Sequence, residues 1–232
     1  MNHLTTLKNL VLAPYMLKAT ALIGVSRKCG GNQFRHQFAT LGILFDYKYF
    51  DDSVLLKASI LHDLIEDVSC DELDEIRNID DDGQSVVDLI LEVTKKDNET
   101  KEEYLERIIN GTTRAKILKC ADRISNLTDL HLDTHTSGKI FAYLQQTEKY
   151  ILPIAREVNI NFEIELIDLI AKRKLLCNSD DNFEIWHRIL DEFRITDDYK
   201  KKENHQAPGG GVLFAKFFEW LYSHYKAPEN KI

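Results

Sequence analysis

Apolar residues along this chain recur at three- and four-residue steps, and strand-like alternation is weak throughout. That period marks helices with one buried face. A first apolar-periodic segment covers residues 5–27. The stretch Cys29–Asn32 contains two glycines and reads as a turn. A second helix is predicted from about Phe34 to Phe45. A third follows the Asp51-Asp52-Ser53 cluster, whose short polar side chains suit an N-cap. It carries VLLKASILHDLIEDV. Asp80–Gly83 reads as an acidic turn, and Ser85–Val93 and Lys101–Ile109 as short helices. Arg114–Leu127 and Ile140–Val158 are predicted as further helices, the latter kinked at Pro153.

After Ala171 the character of the chain shifts. Phe183–Phe193 and Val212–Tyr225 are predicted helices, separated by the linker-like DDYKKKENHQAPGGG. The expected architecture is all-α, with a helical domain over residues 1–175 and a small C-terminal helical extension over 176–232. A length of 232 residues, 44% of them hydrophobic, matches one well-buried core and a small appendage.

No apolar run approaches the roughly 20 residues that span a bilayer. The N-terminus lacks a basic region followed by an apolar stretch and a small-residue cleavage site. Cys29, Cys70, Cys120 and Cys177 are widely spaced, which suits reduced thiols in the cytoplasm and argues against a zinc knuckle. A net charge of −8 argues against binding to a nucleic-acid polymer. An acidic protein acting on a polyanion needs a metal or clustered Arg and Lys.

The first chemical signal is His62-Asp63 followed by Glu66-Asp67 within an apolar helix. On one continuous helix His62 stacks over Glu66 and Asp63 over Asp67. So many ionisable groups among core residues call for a neutralising partner. A divalent first-row ion fits imidazole and carboxylate ligands; a solvated acidic helix end is the alternative. In the second signal, RAKILKCADRISNLTDL, an apolar stripe of Ile117, Leu118, Ala121, Ile124 and Leu127 lies beside a polar one. Lys119, Asp122, Arg123 and Asn126 form that polar stripe. Asp122 is a further candidate ligand, and an ordinary amphipathic helix is the alternative. Thirdly, Arg27 and Lys28 precede the glycine turn, suited to a flat base and a phosphate respectively, and His36 follows. A lone His36 reads equally as a structural histidine.

These pieces together resemble the HD hydrolase domain of the RelA/SpoT family, above all its stand-alone small alarmone hydrolases. The family's R-K-S-G corresponds to Arg27-Lys28-Cys29-Gly30, with His36 following. Its L-L-H-D-x-x-E-D corresponds to Ile60 through Asp67, and its V-T-K to Val93-Thr94-Lys95. Its K-L-A-D-R-L-x-N corresponds to Lys119 through Asn126, and its E-T-L-E-I-Y-A-P-L-A to Gln146 through Ala155. The match spans about residues 15–170.

The resemblance implies an HD-type helical bundle and hydrolysis of ppGpp to GDP and pyrophosphate. It implies one metal, typically Mn(II), held by His36, His62, Asp63 and Asp122. Glu66 and Asp67 would position and activate water. Arg27 would stack on guanine, Lys28 would meet phosphate, and Asn126 would contact the ribose. Lys139 and Tyr143 would line the 3′-phosphate side. Three departures stand out: Gln37 replaces the usual proline, Cys29 a serine, and Thr128 an arginine. They bear on substrate detail more than on metal chemistry. Two other functions fit the same pattern. One is removal of phosphate from another nucleotide, such as the 2′-phosphate of NADPH. The other is a non-catalytic nucleotide sensor.

Overall fold

Every regular element among the described residues is helical, as the apolar spacing predicts. The structure is a computed structural model that describes residues 7–68, 73–177 and 220. The chain divides into two compact units, Met1–Leu175 and Leu176–Ile232. The predicted helix over 183–193 lies outside the described residues, as does that over 212–225 apart from Trp220. No helix among the described residues is long and apolar enough to cross a membrane.

The first unit opens with α1, Ala13–Ala19, which runs into a 3-10 turn over Thr20–Gly24. Then come α2 (Gln33–Asp46), α3 (Ser53–Ser59), α4 (Leu64–Asp67), α5 (Leu73–Arg77), α6 (Gly83–Val93) and α7 (Lys101–Ile109). After them follow α8 (Thr113–Asp129), α9 (Ser137–Gln146), α10 (Leu152–Val158) and α11 (Ile160–Cys177). Local chemistry sets several starts. Asn32 caps α2 by accepting the Arg35 N–H at 3.0 Å, and Asp52 caps α3 by accepting that of Leu55 at 3.0 Å. Thr100 and Glu103 form a reciprocal capping box at α7. The turn before α2 requires its glycines, because Gly30 and Gly31 have φ of 85° and 71°.

α8 is the axis of the unit. Ala115, Leu118, Ala121, Ile124 and Leu127 are buried along it, and α2, α3, α6, α7 and α10 pack around it. Each fully buried Leu or Ile contributes roughly 1.5–3 kcal/mol.

Besides α5, which was not predicted, three elements differ from expectation. The predicted single helix through VLLKASILHDLIEDV is interrupted between α3 and α4. The cause is local: His62 Nδ1–H donates to the Ser59 carbonyl at 2.8 Å. That carbonyl would otherwise accept the Asp63 N–H of a continuous helix. The predicted kink at Pro153 is a π-helical turn over Thr147–Ile151, just before the proline, which cannot donate to an upstream carbonyl. The last difference is α11, which the hydrophobic pattern did not reveal. It buries Phe162, Leu166 and Ile170 but exposes Ile160, Ile164 and Ile167.

One polar network sits within the packing. The Lys57 ammonium lies 2.8 Å from Asp80 Oδ2 and 2.7 Å from Asp82 Oδ2, and Tyr15 donates to Asp80 Oδ1 at 2.7 Å. Desolvation alone would raise the Asp80 carboxyl, but bonds from Lys57 and Tyr15 hold it below the usual range. Asp82 is held down first by Lys57 and then by Ser53. Depressed carboxyls stabilise the fold above their unfolded pKa, and the gain is lost as pH falls through the folded value. Lys57→Met should therefore destabilise the protein by about 2–3 kcal/mol near neutral pH, since both acids keep partial solvent access. In denaturant titrations that gap should shrink as the pH falls below the ordinary carboxylate range. An unchanged gap would place the effect in packing instead.

Candidate metal centre and substrate cavity

Where α2, α8 and the turn between α3 and α4 meet, two imidazoles face two carboxylates. His36 is buried on α2. Its Nδ1 lies 2.9 Å from Ser125 Oγ, and its Nε2 lies 3.0 Å from Asp122 Oδ1 and 3.5 Å from Asp63 Oδ2. His62 reaches the same point from the turn. Its Nε2 is 3.3 Å from Asp63 Oδ2 and 3.7 Å from Asp122 Oδ1. Ligand atoms of His36, His62 and Asp122 all lie within 4.8 Å of one another.

The surroundings orient these groups. The Ser59 carbonyl takes the Nδ1–H of His62 and turns Nε2 toward the carboxylates. Gln37 donates to Asp63 Oδ2 at 2.9 Å. Asp122 Oδ2 accepts from Lys119 Nζ at 2.7 Å, and its Oδ1 accepts from Asn126 Nδ2 at 2.5 Å. Burial would raise the Asp122 carboxyl, yet Lys119 and the two histidines hold it well below the ordinary range. Burial would lower the His62 pKa, yet Asp63 and Asp122 outweigh it and raise that pKa to about 9. The carboxylates thus demand positive charge at Nε2.

A divalent cation meets that demand. His62 Nε2 is buried, and among the described residues it has no hydrogen-bond partner, only the two carboxylates that face it. A buried polar atom without a partner is uncommon and calls for a physical reason. Two imidazole nitrogens with carboxylate oxygens form a donor set suited to a first-row divalent ion.

Glu66 and Asp67 lie one short helix beyond the turn, on α4. Glu66 Oε1 accepts the backbone N–H of Lys95 at 2.7 Å, and Asp67 Oδ2 accepts from Gln33 Nε2 at 2.7 Å. Both keep solvent-exposed edges. Burial and then the charge of Asp63 raise both carboxyls above their ordinary values, against the opposing hydrogen bonds. This is the direction that suits a proton acceptor near neutral pH.

A cavity of about 630 Å³ lies beside the cluster, lined by Asn126, which bonds Asp122, and Gln33, which bonds Asp67, while the two histidines and Asp63, Asp122, Glu66 and Asp67 do not line it. Arg27, Lys28, Lys101 and Lys139 bring positive charge to it. The Arg27 guanidinium is held in place by Asn126 Oδ1 at 2.8 Å and Asp129 Oδ2 at 3.2 Å. Lys28 and Lys139 are exposed. Tyr143 is half-buried, with the Arg123 guanidinium stacked 4.1 Å from its ring centroid and Lys101 Nζ 5.3 Å away. Burial, Arg123 and Lys119 all lower the Lys101 ammonium pKa. Arg123 also donates to Thr147 Oγ1 at 2.7 Å, which links α8 to the π-helical turn.

All the residues singled out from sequence therefore fall at the cluster, on its flank or along the cavity. Sequence reasoning missed the supporting residues. Gln33, Ser59, Gln37 and Ser125 carried no motif signal of their own. Gln37 registered only as a departure from the proline, and the structure makes it a donor to Asp63. Lys119 was visible on the polar stripe without a role. Lys101 gave only the start of a helix.

No protein-family model matches the chain. The guanosine-3′,5′-bis(diphosphate) 3′-pyrophosphohydrolase MESH1 of Drosophila melanogaster is 29% identical over 135 residues, covering 54% of this chain and 72% of MESH1. A solved structure of a metazoan SpoT orthologue that hydrolyses ppGpp superposes with a TM-score of 0.62 at 26% identity. That match covers 71% of this chain and 96% of the orthologue.

The chain is a homologue of the SpoT-like hydrolases.

For this SpoT-like chain the supporting contacts give the quoted motifs physical roles. The Val93-Thr94-Lys95 stretch supplies the N–H that holds Glu66, and Tyr104 fixes it by donating to the Val93 carbonyl at 2.6 Å. Asn126 joins Asp122 to Arg27. If the cluster holds an ion, His62→Ala should lose stoichiometric divalent metal in elemental analysis while keeping its helical circular dichroism. Full metal content in that variant would remove His62 from the ligand set.

Proposed function

We propose that this chain hydrolyses the 3′-pyrophosphate ester of ppGpp, consuming water and releasing GDP and pyrophosphate. The observation that carries the reading is His62 Nε2, buried with no hydrogen-bond partner among the described residues and facing two carboxylates beside a cation-lined cavity. Its likeness to MESH1 and to the ppGpp-hydrolysing orthologue gives the substrate class. In this reading His36, His62, Asp63 and Asp122 hold one divalent ion, Mn(II) by family resemblance. When bound, such an ion lowers the pKa of water and offsets charge on phosphoryl oxygens.

The remaining work falls to the chain's own groups. Glu66 and Asp67 each have one oxygen tied to a neighbour, which orients the other to accept the water proton. Arg27 presents its guanidinium face to guanine. Lys28, Lys101 and Lys139 meet phosphate oxygens, and Tyr143 forms the wall beside them. Asn126 lies within reach of the ribose. The reaction belongs to the cytoplasm, in keeping with the free thiols of Cys29 and Cys120. The domain at 1–175 carries the whole site.

A hydrolysis assay in Mn-supplemented buffer with product identification tests the reading. GDP and pyrophosphate are expected, and absence of ppGpp turnover by metal-loaded protein would overturn it. Glu66→Ala and Asp67→Ala should each lower kcat by about 10²- to 10⁴-fold with metal content kept. Loss of the metal in either variant would move that residue into the ligand set. Arg27→Ala should raise KM by about 2- to 30-fold with kcat little changed, because base stacking acts equally on ground and transition states. An unchanged KM would place the guanine elsewhere.

A further inference from the structure

One residue of the cavity wall is out of character for a polyanion site. Among the described residues lining the cavity, Asp133 is the one carboxylate, set among Arg27, Lys28, Lys101 and Lys139. It does not neutralise those cations. Among the described residues its ion-pair partner is His135, while Arg27 is paired with Asp129. Asp133 Oδ1 accepts twice from His135, from the backbone N–H at 2.7 Å and from Nδ1 at 2.6 Å. Among the described residues nothing hydrogen-bonds its Oδ2. His135 thus fixes the carboxylate by one oxygen and leaves the other to accept.

A carboxylate repels phosphate, so this oxygen suits a ligand edge that carries donors. Guanine offers two such donors side by side, N1–H and the 2-amino group. Adenine has an acceptor at N1. The position agrees with the base end of the cavity. Asp133 stands near enough to the Arg27–Cys29 turn that it adds to the upward pull of burial and Asp129 on the Cys29 thiol, against Arg27. It lies in the loop between α8 and α9, close to Leu130, which is also on the cavity wall.

We propose that Asp133, held by His135, accepts hydrogen bonds from the donor edge of guanine beneath Arg27, and so selects guanine over adenine nucleotides. The inference rests on the nucleotide reading above, and it is tested by binding, separately from turnover. The competing role for Asp133 is structural: an Asp that accepts the N–H two residues on forms a local turn. Asp133→Asn separates the two roles. The Asn Oδ1 still accepts from His135, so the turn survives. The free acceptor oxygen becomes an NH₂ donor, which opposes the donors of guanine.

The experiment is titration calorimetry of GDP, IDP and ADP into the full chain in Mn-supplemented buffer, with Asp133→Asn and His135→Ala alongside the unaltered protein. The unaltered protein should bind GDP at least about tenfold more tightly than ADP. Asp133→Asn should weaken GDP by roughly 10- to 100-fold and leave ADP unchanged. His135→Ala should weaken GDP several-fold, because the carboxylate is then free to turn. IDP, which lacks the 2-amino group, should fall between GDP and ADP. Equal affinities for GDP and ADP in the unaltered protein, or equal losses for both in Asp133→Asn, would overturn the proposal. So would lowered thermal stability in that variant with selectivity intact. Selective GDP binding without ppGpp turnover would instead sink the hydrolase reading and leave the guanine contact standing.

Discussion

A buried carboxylate organises this molecule. Asp122 sits in the middle of the axial helix α8, almost wholly removed from water. An isolated carboxylate in such a place would take up a proton, because burial penalises the charged form. Asp122 does the reverse, and its carboxyl is held well below the ordinary range. Lys119 one turn before it, Asn126 one turn after it and His36 from α2 all donate to it or face it. Each of those groups has its own support in turn: Ser125 holds His36, and Asn126 also bonds Arg27. The packing of α2 on α8 and the placement of the turn before α2 therefore serve the same charge.

The break between α3 and α4 belongs to the same arrangement. A continuous helix would direct His62 along a regular helical face and leave the Ser59 carbonyl to the backbone. Instead the imidazole takes that carbonyl, the chain turns, and Nε2 meets Asp63 and Asp122. The helix gives up regular backbone bonding over Ile60–Asp63 and gains a fixed histidine. Across the site the π-helical turn does similar work. It brings the Thr147 hydroxyl to Arg123, whose guanidinium packs on Tyr143 at the cavity wall. Irregular backbone in this fold is concentrated where side chains must be aimed.

The parts that were legible in the sequence are those set by neighbours along the chain. α8 was readable because its apolar stripe and its Lys119–Asp122–Asn126 stripe lie at helical spacing. The cap at Asp52 follows from a side chain bonding to an N–H group three residues on. The motif residues could be named because they recur in a family pattern. What was not legible depends on groups distant in sequence or on side chains that compete with the backbone. Gln33 reaches Asp67 and Gln37 reaches Asp63 across many intervening residues, and glutamine alone carries no such signal. The break at Ile60–Asp63 has no glycine or proline to mark it. α11 was missed because isoleucines lie on its exposed face as well as its buried one, which blurs the period.

The location of unsatisfied polar atoms ties these observations together. Interiors rarely leave such atoms without a partner. Among the described residues, the buried side-chain atoms that have none are Gln33 Oε1, Gln37 Oε1, His62 Nε2, Arg123 Nε and Gln146 Oε1. They are not scattered. Gln33 and Gln146 line the cavity, Gln37 bonds Asp63, and Arg123 packs on Tyr143. The three glutamine oxygens are acceptors, and His62 Nε2 faces two carboxylates that draw positive charge to it. Acceptors of this kind are satisfied by a cation or by a ligand rich in donors, whereas the lysines on the cavity wall are satisfied by an anion. In the proposed reading the two demands correspond to a metal beside a polyphosphate.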